Sequence, residues 1–289
     1  MGRGPGKKRV GHMFTHVGKK LLLLAAAVVL AAGIAGCGGN KAADSKPAGE
    51  GKLVIAINST FPPFESVKEG TSDYTGIDID IAHYMAQKMG KTAEFTDMKF
   101  ASLVPTLQSG RADMILSAIS PTKERSEVVD FSIPYYFPMK AIICKKGAGY
   151  DSLDKLSGLS AGASMGTTYA KDLREAGGID VVEMDSTPLV VQDIKNGRLA
   201  AGLFDSAQAG VFVQQNPDLE MHILNLPVVM EDTFAVALPK GSKDVEEVNA
   251  ILKEMKQNGE MHKIFVKYLG EDATSQYEAL EAGLDIAQW

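Results

Sequence analysis

The sequence has 289 residues, 30 basic and 36 acidic side chains, a formal net charge of −6 and 45% hydrophobic residues. That is enough apolar content for one large or two smaller cores. The acidic balance argues against a nucleic-acid partner, because such binding rests on neutralising phosphates with lysine and arginine.

Residues 1–36 carry Arg3, Lys7, Lys8, Arg9, Lys19 and Lys20 and no acid, and they include the apolar run Leu21 to Ala35. Fifteen such residues are short for a membrane span and suit the core of a secretory signal peptide. Ile34-Ala35-Gly36-Cys37 resembles the lipobox of bacterial lipoproteins, which implies cleavage before Cys37 and a lipid on its sulfur. The chain beyond keeps all 36 acids but only 24 of the 30 basic residues, a net charge near −12. Cys144, the other cysteine, then has no disulfide mate and reads as a buried, inert thiol. Residues 37–50, rich in glycine and polar side chains, read as a flexible tether.

Leu53–Ile57 reads as a strand. Asn58-Ser-Thr-Phe-Pro-Pro-Phe-Glu65 follows as a loop stiffened by Pro62 and Pro63, where Phe61 is core or a ring at the mouth of a site. Gly76-Ile-Asp-Ile-Asp leads into a helix through Ile81, Met85 and Met89, with Asp78 as its cap and Gly90 as its stop. A second helix carries Leu103, Val104 and Leu107 and ends at Gly110.

Met114 to Ile119, apolar apart from Ser117, has the pattern of a strand buried on both faces. Ser120 as N-cap and Pro121 at the first helical position then start a helix. Free backbone N–H groups at the carboxyl end of a buried strand attract anions, and Arg125 can add a bidentate fork for a carboxylate. The alternative is that Arg125 pairs on the helix surface with Glu124, Glu127 or Asp130.

Strands follow at Ala141–Cys144, Leu159–Ala163, Ile179–Met184, Leu199–Phe204, Ile223–Val229 and Thr233–Leu238. Helices occupy the stretches after Ser164-Met-Gly-Thr-Thr168, at Leu189–Ile194 and from Asp205. Alternating strands and helices predict an α/β fold with parallel sheets covered on both faces. Lys146-Gly147 and Lys240-Gly241 are similar strand exits that bracket an inserted lobe. The expected division is lobe 1 at 51–141 and 239–270, lobe 2 at 142–238, hinges near 141–147 and 236–241, and a polar, weakly helical tail at 271–289 with no assigned role.

One internal echo supports two lobes. Leu103-Val-Pro-Thr-Leu-Gln-Ser-Gly-Arg111 lies over Val190-Val-Gln-Asp-Ile-Lys-Asn-Gly-Arg198 without a gap. Extending it sets Ser117 opposite Phe204 and Ala118 opposite Asp205, at the carboxyl ends of equivalent strands, where open α/β sheets bind ligands. If the lobes face each other, Arg125 and Asp205 line opposite walls, a pairing that suits a zwitterion. Asp205 can cap its helix and still accept an ammonium.

Phe61-Pro-Pro-Phe-Glu, Gly76-Ile-Asp-Ile-Asp, Leu103 to Asp113, Ser120-Pro-Thr-Lys-Glu-Arg, Val129-Asp-Phe-Ser-Ile-Pro-Tyr-Tyr and Gly166-Thr-Thr occur in order over residues 51–270. Together they resemble the extracellular solute-binding proteins, family 3, that deliver polar amino acids to ABC importers. The resemblance implies two α/β lobes of the type II periplasmic binding-protein fold, joined by two hinge strands and closing on a ligand. It implies that Arg125 binds the α-carboxylate with Ser120, Thr167 and Thr168. Asp205 would take the α-ammonium, helped by the Ala118 carbonyl; Phe61 and Phe100 would sandwich the side chain, and Ser117 and Asn58 would meet its distal end. Several relatives selective for basic amino acids carry an acid where this chain has Asn58. A buried cation without a partner is costly, so a neutral polar amino acid such as glutamine is favoured over a basic one unless a carboxylate elsewhere in the cleft supplies the partner.

The implied partners are an L-amino acid, the transmembrane permease subunits and the membrane through the lipid, with a monomer, no cofactor and an extracytoplasmic location expected. Three other readings compete with this one. Gly162-Ala-Ser-Met-Gly166 matches Gly-x-Ser-x-Gly, with Asp205 and His222 or His262 following in hydrolase order, but the preceding strand is glycine-broken. A cyclohexadienyl dehydratase on the same scaffold would need a general acid in the cleft. A sensory module presenting its closed form to a receptor is the third. His12, His16, His83, His222 and His262 show no metal-ligand spacing, and no phosphate or dinucleotide loop occurs.

Overall fold

A computed structural model describes residues 51–284. The signal segment, Cys37, the tether and residues 285–289 lie outside it.

The described chain starts with β1 (Gly51–Ile57), the short hairpin strands β2 (Thr60–Phe61), β3 (Glu65–Val67) and β4 (Tyr74–Thr75), and α1 (Ile77–Lys88). Next come β5 (Lys91–Asp97), α2 (Leu103–Gln108), β6 (Met114–Ile115), α3 (Lys123–Ser126) and β7 (Val129–Phe131). A second run holds β8 (Lys140–Lys145), β9 (Ser160–Ser164), α4 (Thr168–Ala176), β10 (Asp180–Met184), α5 (Thr187–Lys195), β11 (Ala201–Asp205), α6 (Ser206–Gln215) and β12 (Leu219–Ile223). The chain then returns through β13 (Ala237–Pro239) to α7 (Val245–Gln257), α8 (Glu260–Leu269) and α9 (Glu271–Ala282).

Two five-stranded sheets result, ordered β5-β1-β6-β13-β7 and β10-β9-β11-β8-β12. Each is mixed, where all-parallel sheets were expected. Three strands on one side run parallel, and the fourth, β13 or β8, lies antiparallel to the central strand. The fourth strands reverse because they adjoin the crossings between lobes and enter the sheet from the other end. Side chains alternate between faces as strand geometry demands. Leu53, Ile55 and Ile57 of β1 pack on one side of the first sheet and Ala56 on the other; Ile142 and Cys144 of β8 oppose Ala141 and Ile143 in the second.

The chain crosses between sheets over residues 132–139 and again over 224–236. Expectation set the first hinge at 141–147, but β8 already belongs to the second sheet from Lys140, and β13 belongs to the first from Ala237. The crossings run side by side: Ser132 N–H donates to Val236 O at 2.9 Å, Tyr135 N–H to Phe234 O at 2.9 Å, and Phe234 N–H to Tyr136 O at 2.8 Å.

Three local expectations change. The strand read at Met114–Ile119 pairs only over Met114–Ile115. The helix after it begins at Lys123 with Thr122 as cap, not Ser120, since the Thr122 hydroxyl accepts the Arg125 N–H while the Ser120 hydroxyl donates to Asp232 O at 3.2 Å. Asp78 does not cap α1; Gly76 occupies that position, at φ 141° and with Phe64 O only 2.0 Å from where a Cβ would stand. The tail, read as polar and weakly helical, does form a helix, α9, whose Tyr277 stacks on Tyr136 with ring centroids 4.7 Å apart and planes at 4°.

Candidate functional site

The two stretches of the internal echo occupy equivalent places, for β6 and β11 are each the third strand of their sheets. Each follows a helix closed by a glycine of positive φ, Gly110 at 71° and Gly197 at 73°. Ala118 and Asp205 therefore sit just beyond or at the carboxyl ends of matching strands.

Asp205 is fully buried and caps α6, its Oδ1 accepting the Gln208 N–H at 2.9 Å. Its Oδ2 is buried without a hydrogen-bond partner among the described residues. Burial raises its pKa from 3.8 to about 7, against the pull of the Gln208, Ala207 and Ser206 N–H groups. Tyr169 on α4 is close enough for Asp205 to raise its phenol further, after burial, and that hydroxyl is also buried without a partner. An oxygen and a phenol left unsatisfied in the same buried neighbourhood make a place where an incoming donor gains much.

Ala118 has φ 43°, a left-handed conformation uncommon outside glycine. Asp78 holds it there, accepting the Ala118 N–H at 2.6 Å and the Tyr135 hydroxyl at 3.0 Å. Below lies Glu65, whose Oε1 accepts from the Ser117 hydroxyl at 2.6 Å. Burial first, then the neighbouring Asp78, pushes the Glu65 carboxyl well up; burial raises Asp78 to about 6. Two buried acids of raised pKa share this pocket. The motif residues Glu65 and Asp78 thus serve the backbone of the cleft floor.

Arg125 forms none of the surface ion pairs with Glu124, Glu127 or Asp130. Its Nη1 donates to Ser120 O at 2.7 Å and its Nη2 to Gly166 O at 2.9 Å, and its guanidinium lies 5.3 Å from the Phe100 ring centroid. Burial lowers its pKa to about 10, and Glu124 partly opposes this. Among the described residues no carboxylate lies within ion-pair distance of it. The Arg125–Gly166 bond spans the two lobes, as do Lys99–Asp185 at 2.6 Å and Lys171–Glu124 at 3.5 Å. Gly166, at φ 80°, brings its backbone so near Ala101 that a Cβ would lie 3.3 Å from the Ala101 Cβ. The lobes are closed on each other. Phe100, Ala101, Ile119, Arg125 and Gly166 line a cavity of about 260 Å³ between them.

Thr167 caps α4, its Oγ1 accepting from the Ala170 N–H and donating to Ser164 O at 2.7 Å; Thr168 begins the helix. Asn58 is buried and committed to its own lobe, with Nδ2 donating to Met98 O at 2.7 Å and Oδ1 accepting from Thr60. Ser117 accepts the Asn58 N–H at 2.9 Å. Phe61 is nearly buried and packs on Phe64 and Phe234, at 5.7 and 6.2 Å, so Phe61 and Phe100 belong to different aromatic groups here.

Sequence reasoning missed a charged lock beside the cleft. Lys140, paired in register with Asp205, bonds Asp172 on α4 at 2.8 Å and Asp232 on the second crossing at 2.9 Å. Ser120 reaches the Asp232 carbonyl from the first lobe. No pattern along the chain could link residues this far apart. Ser164, the serine of the hydrolase-like pentapeptide, hydrogen-bonds neither histidine: His222 pairs with Glu220 and His262 with Glu278. A cavity of about 550 Å³ lies between α6, α9 and the crossings; its lining is mainly apolar, with Tyr136, Gly210 and Leu280 among the residues, and offers no charge pair for a zwitterion.

Comparison with known proteins agrees with this architecture. Residues 53–271 match the model of the bacterial extracellular solute-binding proteins, family 3. The arginine-binding extracellular protein ArtP of Bacillus subtilis is 32% identical over 253 residues, 86% of this chain and 98% of ArtP. The solved structure of AbpA from Streptococcus pneumoniae bound to L-arginine is 35% identical, with a TM-score of 0.71 over 78% of this chain and 95% of AbpA. An ancestral arginine-binding protein solved with glutamine is also 35% identical, with a TM-score of 0.71 over 76% of this chain and 99% of its own. The chain belongs to the bacterial extracellular solute-binding proteins, family 3.

Proposed function

We propose that this protein captures an L-amino acid between its lobes outside the cytoplasm and presents the closed complex to an ABC permease. One observation carries the reading. A guanidinium without a carboxylate, Arg125, and a buried carboxylate without a cation, Asp205, belong to opposite lobes that touch across a closed cleft. Leaving either charge unneutralised is costly, and a zwitterion supplies the missing partner of each. In this reading the α-carboxylate meets Arg125, Ser120, Thr167 and Thr168, and the ammonium meets Asp205, the Ala118 carbonyl and the Tyr169 hydroxyl. Phe100 flanks the side chain beside Arg125, and Phe61, Asn58 and Ser117, whose contacts here lie within lobe 1, are the neighbours expected for its far end.

The role is capture without chemistry. The site offers charges and hydrogen bonds that suit binding, and the relatives named above are binding proteins, which gives the dehydratase alternative no support. The lobe division at 51–141 with 239–270 and at 142–238 is part of this proposal, moved by a few residues to follow the sheets. So are the monomeric state, which rests on the family resemblance, and the lipid on Cys37 with anchorage to a bacterial membrane, which rest on the N-terminal sequence.

Asn58 is neutral and its polar ends are engaged, which favours a neutral polar side chain such as glutamine over a basic one. The ancestral relative solved with glutamine shows that a scaffold this similar accepts one. Thermal unfolding against the twenty L-amino acids tests both levels, because a ligand of the native form raises the midpoint. A larger shift from glutamine than from arginine is expected. Arginine giving the larger shift would overturn the side-chain preference alone, and no shift from any amino acid would overturn the capture reading.

A further inference from the structure

Far from the cleft, β8 and β12 bring three metal-binding side chains together. Cys144 pairs in register with Glu220, and His222 follows two residues along β12 on the same face of the strand. Cys144 Sγ lies 3.6 Å from Glu220 Oε1, His222 Nε2 lies 3.1 Å from the same oxygen, and all three donor atoms fall within 4.8 Å of one another. In tetrahedral coordination with Zn–S of about 2.3 Å and Zn–N or Zn–O of about 2.0–2.2 Å, sulfur and oxygen stand about 3.6 Å apart and nitrogen and oxygen about 3.4 Å. Two separations are already near those values.

We propose that Cys144, Glu220 and His222 hold one thiophilic divalent cation of the zinc class, with a fourth position open to water. The donor set fits: thiolate, imidazole and carboxylate are ligands that zinc combines, and thiolate disfavours calcium and magnesium. The glutamate is positioned in advance, its Oε2 accepting the Gly147 N–H at 3.0 Å and its Oε1 the Gly149 N–H at 3.1 Å. Cys144 is buried, while the side chains of Glu220 and His222 remain 24% and 29% exposed, so an ion can enter from their side. Without metal, the thiol proton and the imidazole N–H can both point at Glu220 Oε1, so protons occupy the place of the ion. On binding, the thiol releases its proton to solvent and the imidazole proton moves to Nδ1, freeing Nε2. One proton leaves per ion, no electron is transferred, and one dication faces one thiolate and one carboxylate, a neutral sum suited to a half-buried site.

The ion would clip the edge strand β12 and the Lys145–Gly149 turn to β8. It sits at the opposite end of β8 from Lys140, which faces Asp205, about 13 Å along the strand. The site is therefore separate from the cleft.

The full chain in detergent, carrying Cys37→Ser so that Cys144 is the only thiol, is titrated with Co²⁺. A thiolate-to-cobalt charge-transfer band in the near ultraviolet, saturating at one equivalent and bleached by one equivalent of Zn²⁺, is expected. Cys144→Ser should remove the band, and His222→Ala, at a half-exposed position, should weaken Co²⁺ binding at least about tenfold while circular dichroism stays unchanged. No band in the parent, a band that persists in Cys144→Ser, or unchanged affinity in His222→Ala would each overturn the site.

Discussion

At the scale of single residues, the cleft is a pair of incomplete charges, and this sets how it should respond to mutation and pH. Arg125→Ala removes the only guanidinium of the site and is expected to weaken amino-acid binding by roughly 2–5 kcal/mol, on the order of 30- to 3,000-fold. The ligand-free protein should remain folded, because that side chain bonds only two carbonyl oxygens, Ser120 O in its own lobe and Gly166 O across the cleft. Calorimetric titration returning near-normal affinity would exclude the assignment. Asp205 adds a proton linkage. Its folded pKa of about 7 exceeds the ordinary 3.8, so the group stabilises the ligand-free fold fully below about pH 4 and loses that contribution as pH rises through 7. A ligand ammonium favours the ionised carboxylate, so binding must expel the proton between those limits. Affinity is expected to rise by up to about tenfold per unit from pH 5 toward 7 and then level off. Titrations at pH 6 in buffers of different ionisation enthalpy should report nearly one proton released, and Asp205→Asn should abolish the release.

Elements were more legible than their edges. The echo of Leu103–Arg111 in Val190–Arg198 located the central strand of both sheets, because a helix, a glycine stop and a buried strand leave a pattern within twenty residues. The caps and edges were less legible since they depend on distant partners. Ser120 looks like a cap until Asp232, more than a hundred residues away, takes its hydroxyl, and Asp78 looks like one until the Ala118 backbone is folded above it. The strand expected at Ile223–Val229 lies at Leu219–Ile223, because Pro227 cannot donate to a ladder and the true strand alternates polar residues toward an open face. The site roles assigned by resemblance to Phe61 and Asn58 meet side chains already packed or bonded within lobe 1. The C-terminal tail hid most, since its polar composition conceals one buried ring. Tyr277 stacks on Tyr136 of the first crossing and meets Phe265 edge-on at 5.1 Å. Tyr277→Ala is expected to cost about 3 kcal/mol in urea unfolding, as ring-to-alanine changes in cores do, and Tyr277→Phe clearly less. An effect within about 0.5 kcal/mol of zero would mean that α9 is not part of the folded unit.

At the scale of the molecule, function reduces to how firmly the lobes hold each other without ligand. The contacts between them are few and largely polar. Lys99 and Asp185 are both about half exposed, so their ion pair contributes roughly 0–1 kcal/mol, and Lys171–Glu124 is no better placed. Closure must then be driven by what the ligand adds in the closed form and not in the open one. The lobes approach closely between Gly166 and Ala101, which gives a way to oppose closure from one residue at the rim of the cavity. Gly166→Ala would confound the test, because its φ of 80° also strains lobe 2 on its own. Ala101→Leu places the wedge on an exposed position of lobe 1 and leaves every backbone angle as it is. If closing against that side chain costs about 1.4 kcal/mol, affinity falls tenfold, and the order of preference among amino acids does not change. At the same sub-saturating amino acid concentration, small-angle scattering should show a larger radius of gyration for the variant than for the parent, with the two converging at saturation. Parent-like dimensions and affinity in Ala101→Leu would mean that closure does not pass through this contact, and that Arg125 reaches its partner by a different movement of the lobes.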